Sequence, residues 1–177
     1  MKRFSIVALG ILLASGCSSS NSASPSTTNS GTTTTRFTAD LKASNESPAI
    51  SNAEASSAGT ATIDMIQTKD SSGNVTSTVF NFSVTMQGFP STSVVNIAHI
   101  HTGASGVNGP IIVNTSIAPG EVVLNAGAGT FNRNGITSST LTATDAQAIL
   151  TNPAGFYFNI HTAANPGGVM RGQLVKQ

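Results

Sequence analysis

Three histidines are the side chains of this sequence whose type and spacing best suit chemistry. His99 and His101 stand two apart in residues 94–103, an apolar and β-branched run that is typical of a buried strand. Because side chains alternate along a strand, both imidazoles are expected on one face of it. His161 ends a second run of this kind, residues 155–162. If the two strands are neighbours, the three imidazoles meet at one end of one sheet.

Three imidazoles from two strands suit a Cu(II) or Zn(II) ion, since imidazole nitrogen is a preferred ligand of both. Such a three-His site keeps a position open for water or a substrate. The metal hypothesis requires the ring nitrogens to converge within about 3–4 Å of each other. Four acidic residues are candidates to complete the site, and the sequence does not choose among them: Asp40, Glu46, Asp64 and Glu121.

Two other interpretations of the histidines stay open. In the first, each ring donates to a loop carbonyl and pins the turn that follows its strand. Arg171 then acts as a structural clasp, because its rigid fork of five donors can hold several carbonyls or a carboxylate. In the second, the histidines act without a metal on a Ser or Thr nucleophile. No Gly-x-Ser-x-Gly motif is present, and the sequence predicts no catalytic residue.

The elements that must position these residues are short strands separated by turns. One short helix is predicted, with Thr144 as N-cap, Gln147 at the capping-box position and Asn152-Pro153 at its end. Residues 127–135 are Gly-rich and predict a loop, in which Asn134-Gly135 suits a tight turn. The pattern indicates an all-β protein, an antiparallel β-sandwich or Greek-key barrel with one short helix. Besides the two histidine runs, strand patterns fall at residues 36–41, 59–66, 76–87, 111–113, 122–124 and 169–175.

The composition excludes several classes of function. Only 8% of the residues are charged, and the formal net charge is +1. Without Lys2 and Arg3 in a removable leader, six basic side chains face seven acidic ones. No basic cluster remains to capture nucleic acid. The chain has one Cys, which rules out an intramolecular disulfide framework and a Cys-rich zinc site.

The N-terminus has the pattern of a bacterial lipoprotein signal peptide over residues 1–16. Two basic residues precede an apolar stretch, residues 4–14, which is too short for a bilayer span of about 20 residues. Small residues then precede Cys17. On this interpretation Cys17 is acylated, with palmitate among its chains, and the protein is anchored in the cell envelope. In a Gram-negative cell the anchor would sit in the outer membrane or at the cell surface. An ordinary secretory signal with an incidental cysteine is the alternative.

A flexible tether is predicted to follow the anchor. Residues 18–35 are Ser, Thr, Asn, Ala and Gly with one Pro, and they lack apolar periodicity. A coil of this length has an end-to-end distance of roughly 23–25 Å. The chain is therefore expected to comprise a signal peptide (1–16), a lipidated Cys with its tether (17–35) and a β domain (36–177).

Paired motifs in this domain resemble a known family. Residues 98–103 with 108–113, and residues 156–162 with 166–174, each place a histidine strand before a Gly- and Pro-containing loop and another apolar run. Residues 41–48 followed by 59–61 add a matching opening. Together these motifs resemble the CHRD domain, which is named from chordin and also occurs alone in secreted bacterial proteins.

This resemblance implies an all-β extracellular module with no established catalytic activity. The expected function is therefore a non-enzymatic binding or structural role in the cell envelope, with an unidentified protein or polysaccharide partner. The alternative is a copper- or zinc-binding envelope protein that uses His99, His101 and His161. Copper–zinc superoxide dismutases also carry a His-x-His strand on a β-barrel, and by analogy the alternative covers metal handling or similar redox chemistry.

Overall fold

A computed structural model describes residues 31–177, so the predicted signal peptide, Cys17 and the tether up to residue 30 lie outside the described residues. Within this range the chain forms nine strands and one α-helix, α1 (Ala143–Thr151), together with short 3₁₀ turns at Ala43–Asn45 and Pro153–Gly155. The strands are β1 (Gly31–Lys42), β2 (Ala58–Lys69), β3 (Val75–Gln87), β4 (Val95–Thr102), β5 (Ile111–Asn114), β6 (Gly129–Ile136), β7 (Phe156–Thr162), β8 (Met170–Gln173) and β9 (Val175–Lys176).

The strands form one antiparallel sheet that curls into a nearly closed barrel. Their order is β5-β4-β7-β8-β1-β2-β3-β6, and β9 pairs with β1. Side chains bridge the gap between the two ends of this order, because the hydroxyls of Ser138 and Thr140 donate to the carbonyl of Ile112 in β5 at 2.6 and 3.1 Å. The predicted all-β antiparallel class with one short helix is confirmed.

The barrel interior is an apolar core built by alternation along the strands. In β3, for example, every second residue from Phe80 to Met86 is buried while its neighbours are more exposed. Strand β7 departs from this pattern because all seven of its residues are buried. Its inward face packs into the core, and its outward face lies under loops. The large buried aromatic residues of the core are Phe37, Phe80, Phe82, Phe89, Phe131, Phe156 and Phe158.

Helix α1 forms where the sequence predicts it, but its N-cap lies two residues earlier. The Thr142 hydroxyl accepts from the backbone N–H of Asp145, and the Asp145 side chain accepts from the backbone N–H of Thr142. This reciprocal capping box outcompetes the predicted start at Thr144, which becomes an ordinary helical residue. The helix ends at Thr151, and Asn152-Pro153 follows it directly, as predicted. Within the described residues, no helix has both the length and the apolarity that crossing a bilayer requires.

Strand β1 begins at Gly31, five residues before the predicted start of the domain. Residues 31–35 were expected in the tether, and they pair instead with residues 65–69 of β2. Four of these five residues are Thr, whose branched side chain suits an extended backbone. They are mostly exposed, so no burial pattern marked them as a strand. The tether prediction is therefore wrong for this segment.

Two further predictions between β5 and α1 are wrong. Residues 122–124 form no strand, and only an isolated bridge between Asn125 and Ala128 lies near them. Asn134-Gly135 lies inside β6 rather than at a tight turn. Gly135 has φ +72°, and the pairing with β3 shifts register there, so the dipeptide forms a β-bulge. Glycine adopts a positive φ readily, and both tight turns and β-bulges use such a residue. The sequence pattern therefore did not distinguish a turn from a bulge at this position.

Candidate metal centre

The three histidines lie on the outward face of two neighbouring strands, β4 and β7, and Arg171 lies beside them on the same face of the next strand, β8. His99 is paired with Asn159, which is paired in turn with Arg171. His101 is two residues from His99 and therefore shares its face, and His161 bears the same relation to Asn159. The order of the strands thus brings together the residues that the sequence singled out.

Loops bury this outward face. The loop after β4 supplies the carbonyls of Val107 and Gly109, and the loop after β7 supplies the carbonyl of Pro166. The segment between β1 and β2 adds the side chain of Glu46. Consequently His99 is only 4% exposed, and His101 and His161 are 7% exposed. These side chains form a buried polar layer outside the apolar core.

The ring nitrogens of the three histidines, here called the three-His cluster, converge. One nitrogen from each ring lies within 4.8 Å of the others. The closest pair is His99 Nδ1 and His161 Nε2, at 3.2 Å. Two nitrogens bound to one tetrahedral ion stand about 3.3–3.4 Å apart, given bonds of 2.0–2.1 Å. His99 Nδ1 and His161 Nε2 already have this separation, and an ion that binds both would replace their hydrogen bond once the ring proton of His99 has moved to Nε2. The 4.8 Å limit for all three atoms is wider than the separation of about 3–4 Å that the metal hypothesis requires, so binding would need a small movement of the rings.

The hydrogen bonds fix which nitrogen of each ring is free. His101 Nδ1 lies 2.9 Å from the carbonyl oxygen of Gly109, and His161 Nδ1 lies 2.9 Å from that of Pro166. A carbonyl only accepts, so both Nδ1 atoms carry the proton and both Nε2 atoms carry a lone pair. His161 Nε2 then accepts from His99 Nδ1. The Nε2 atoms of His99 and His101 are buried without a hydrogen-bond partner.

Burial keeps the imidazoles neutral. Loss of hydration, reinforced by the proximity of His161 and His101, lowers the pKa of His99 from 6.5 to about 3. Burial also lowers the pKa of His101 and of His161; the carbonyl bond of each ring opposes this shift, and the charge of Arg171 adds to it. Neutral imidazole is the form that coordinates a metal.

Arg171 joins the cluster to the rest of the polar layer. Its Nε donates to Glu46 Oε2 at 2.7 Å, and its other nitrogens donate to Asn108 Oδ1 at 2.6 Å and to the Val107 carbonyl at 3.4 Å. Its Cζ lies 4.6 Å from the centre of the Tyr157 ring. Tyr157 in turn stacks on His101, with centroids 4.9 Å apart and planes 6° apart. Arg171 thus contacts both a carboxylate and a loop carbonyl, the two kinds of partner that the clasp hypothesis names.

None of the four acidic candidates from the sequence joins the cluster. Asp40 lies 2.6 Å from Lys42, Asp64 lies 2.7 Å from Arg36, Glu121 is paired with Arg133, and Glu46 is paired with Arg171. Within residues 31–177, the group that could hold a metal comprises the three histidines alone. The candidate site therefore has three neutral nitrogen ligands.

Sequence reasoning missed two residues that position the cluster. Tyr157 appeared only as part of an apolar strand, although its alternation with His161 places both on one face. Glu54 is 2% exposed and accepts from Ser93 Oγ, Thr162 Oγ1 and Asn165 Nδ2 at 2.5–2.6 Å. Two of these bonds, from Thr162 and Asn165, hold the first part of the loop whose Pro166 carbonyl accepts from His161. No local motif in the sequence marks Glu54.

This geometry is compatible with both the metal-binding and the loop-pinning interpretations of the histidines. Two rings pin loop carbonyls through Nδ1, and the same bonds leave their Nε2 atoms oriented as ligands, which is the usual outer-shell arrangement of metal-binding histidines. Among the described residues, no Ser or Thr hydroxyl is hydrogen-bonded to any of the three rings. The arrangement thus offers a histidine no hydroxyl to activate as a nucleophile.

Comparison with protein families completes the description of the site. The family model for the CHRD domain matches residues 37–174, which contain all three histidines, Glu46 and Arg171. The chain belongs to the CHRD family. No curated protein matches it. Membership in the CHRD family points to a non-enzymatic module that works outside the cytoplasm, in the cell envelope or beyond it.

Proposed function

We propose that this CHRD protein is a non-enzymatic module anchored by lipid to a bacterial membrane. The family match supports an extracytoplasmic module. The signal pattern of residues 1–16, followed by Cys17, supports acylation at that cysteine. The acyl chains would supply the membrane affinity, at about 0.8 kcal/mol per buried methylene.

Acylation is tested by expressing the full chain in a Gram-negative host that is fed labelled palmitate. The wild-type chain and a Ser19→Ala control should take up label and sediment with membranes until detergent is added. Cys17→Ala should take up no label. Label that persists in Cys17→Ala, or a wild-type chain without label, would refute the anchor.

The geometry favours one binding role for this module, which is to hold a copper or zinc ion in the three-His cluster. The observation that carries this role is the buried Nε2 atom of His101, which has no hydrogen-bond partner and whose ring converges with the 3.2 Å contact between His99 Nδ1 and His161 Nε2. A buried lone pair without a partner costs about 1–3 kcal/mol, and a metal ion would use it. The bonds from Nδ1 to the Gly109 and Pro166 carbonyls preorganise two of the rings. Metal handling or superoxide-dismutase-like redox chemistry are the roles that such an ion serves.

Metal binding is tested by calorimetric titration of the full chain, purified in detergent, with Cu(II) and Zn(II). We expect one equivalent to bind with a sub-micromolar Kd of about 10⁻⁷ M or below, which corresponds to more than about 9 kcal/mol. The double variant His99→Ala/His101→Ala should lose this binding. Ser105→Ala is the control, because this side chain is exposed on the loop after β4 and contributes nothing to the three-His cluster.

Absence of binding in the wild-type chain would refute the metal role. The histidines would then serve as structural pins, with the double variant less stable but otherwise unchanged. The search for a partner would turn to proteins and polysaccharides. Binding that survives in the double variant would place the metal elsewhere in the chain, and it would refute the three-His cluster as the site.

A further inference from the structure

The charge of the three-His cluster is set by whatever ion it holds. Its ligands are three neutral imidazoles, and within the described residues no carboxylate or thiolate belongs to the group. An ion in this cluster therefore keeps its full charge. In the Born description, a doubly charged ion pays about four times the desolvation penalty of a singly charged ion of the same size.

The nearest fixed cation disfavours added positive charge. Tyr157 stands between His101, on which it stacks, and Arg171, whose Cζ lies 4.6 Å from the Tyr157 ring centre. Glu46 balances part of the Arg171 charge through an ion pair at 2.7 Å, and the guanidinium lies against the Tyr157 ring that stacks on His101. Its field disfavours a metal ion with two charges more strongly than an ion with one.

The loops leave little space for further ligands. The three rings are 4–7% exposed, and the carbonyls of Gly109 and Pro166 that lie over them are engaged by Nδ1 atoms. Cu(II) favours tetragonal sites with four or more N and O ligands, and zinc sites are usually four-coordinate. Either divalent ion needs at least one further ligand here. Cu(I) is satisfied by three.

We propose that the three-His cluster selects Cu(I) over Cu(II) and Zn(II). This inference rests on the proposed metal-binding function and names the ion and its oxidation state. The neutral ligand set, the nearby guanidinium and the closed surroundings all act in this direction. The ligand class is a soft, singly charged cation that accepts three imidazole nitrogens.

The test measures three affinities of the full chain in detergent by competition with chelators. Cu(I) is measured without oxygen in the presence of ascorbate, and Cu(II) and Zn(II) are measured in air. We expect the Kd for Cu(I) to be at least about 100-fold below that for either divalent ion. For the one-electron copper couple this ratio equals a potential about 120 mV above that of the aqueous ion. Electrochemistry of the copper-loaded wild-type chain checks this potential independently.

A pair of variants isolates the effect of ligand charge. His161→Asp replaces a neutral ligand by an anionic one, and His161→Asn has nearly the same shape without the charge. The Asp variant should lower the Cu(I) to Cu(II) selectivity at least about tenfold relative to the Asn variant, since carboxylate oxygen suits harder and more highly charged ions. If these variants do not fold, the wild-type affinities still decide the question.

The possible outcomes distinguish failure of the Cu(I) selectivity from failure of the proposed metal-binding function. Equal or tighter binding of Cu(II) or Zn(II) at the cluster would overturn the selectivity for Cu(I) and leave the metal role standing. Failure of all three ions to bind would overturn both.

Discussion

Arg171 and Glu46 are oppositely charged residues that have almost no contact with water, since their side chains are 2% and 3% exposed. Taking both charges out of water is costly, and the cost is offset only where the remaining donors are satisfied. Arg171 meets this condition through Asn108, Val107 and the Tyr157 ring. The pair therefore stabilises the loops over the three-His cluster only while both members are present.

Removing one member of this pair should be more damaging than removing both. Arg171→Met leaves the Glu46 carboxylate buried without its cation, and we expect a loss of about 3–5 kcal/mol in the free energy of unfolding. Glu46→Leu/Arg171→Met should lose less than the single variant. Urea unfolding of the metal-free chains measures both values. Equal losses would show that Arg171 contributes through packing and loop bonds rather than through its charge.

The neutral histidines make the stability of the metal-free chain depend on pH. In the unfolded chain their pKa is about 6.5, whereas in the folded chain it is lower for all three and about 3 for His99. Between these values the unfolded state binds more protons, so the free energy of unfolding falls as the pH falls. The slope reaches about 1.4 kcal/mol per pH unit for each histidine that stays neutral. Burial raises the pKa of Glu46, and this one group acts in the opposite direction.

Urea unfolding with a chelator present, between about pH 7 and about pH 5, measures this slope. The variant His99→Ala/His101→Ala should show a shallower slope, because two of the three groups are gone. A wild-type free energy that is constant over this range would mean that the folded histidines take up protons as readily as the unfolded ones.

At the scale of elements, the loop after β7 depends on a glycine that no other residue can replace. Gly168 has φ +128°, and a Cβ there would stand 2.6–2.8 Å from the Asn159 amide and from Glu46 Oε1. Its neighbour Gly167 has open space around the same position. The loop thus lies directly against the polar layer at Gly168 and stands away from it at Gly167.

This contrast predicts different effects for two alanine substitutions. Gly168→Ala should cost more than the roughly 1–3 kcal/mol of backbone strain alone, because the Asn159 and Glu46 side chains must also move. Gly167→Ala should leave the free energy of unfolding within about 1 kcal/mol of the wild-type value. The urea midpoint of each variant checks the prediction. Similar losses in both would indicate that the loop does not rest on Asn159 and Glu46.

The elements also mark the limit of what the sequence predicts. The long strands β2 and β3 follow from their alternation of apolar and polar residues. Residues 31–35 carry no such alternation, since they are exposed, and their strand exists because a partner in β2 is available. Asn134-Gly135 became a bulge for the same reason, because the neighbouring strand β3 continues past it. In both cases pairing with a neighbouring strand determines the structure, and the local sequence pattern carries no information about that pairing.

For the whole molecule, an ion held by the three-His cluster should stabilise the fold. The cluster joins β4 to β7, and the unfolded chain has no such site, so bound metal favours the folded state. At a free metal concentration about 100 times the Kd, the free energy of unfolding should rise by about 2.7 kcal/mol. Thermal unfolding at increasing metal concentration measures the rise. His99→Ala/His101→Ala should show none; an equal rise in this variant would indicate binding at other sites.

The sequence predicted the composition of the candidate site better than its surroundings. The alternation rule places His99 and His101 on one face, and the strand order then adds His161. The burial of that face could not be predicted, because it requires loops from three parts of the chain, held by Glu46, Glu54 and Gly109. A strand face made of polar residues usually contacts solvent, whereas this face forms a second buried layer under the loops.

The direction of β1 sets the distance between the three-His cluster and Gly31, the first of the described residues. Gly31 pairs with Lys69 at one end of this strand, and Lys42 pairs with Arg171 at the other. Twelve extended residues separate the two ends by about 36 Å. A chain held to a bilayer through Cys17 would therefore present its histidines on the side remote from the lipid. Exchange of an ion would then favour soluble carriers, or proteins of a facing membrane, over neighbours in the same leaflet.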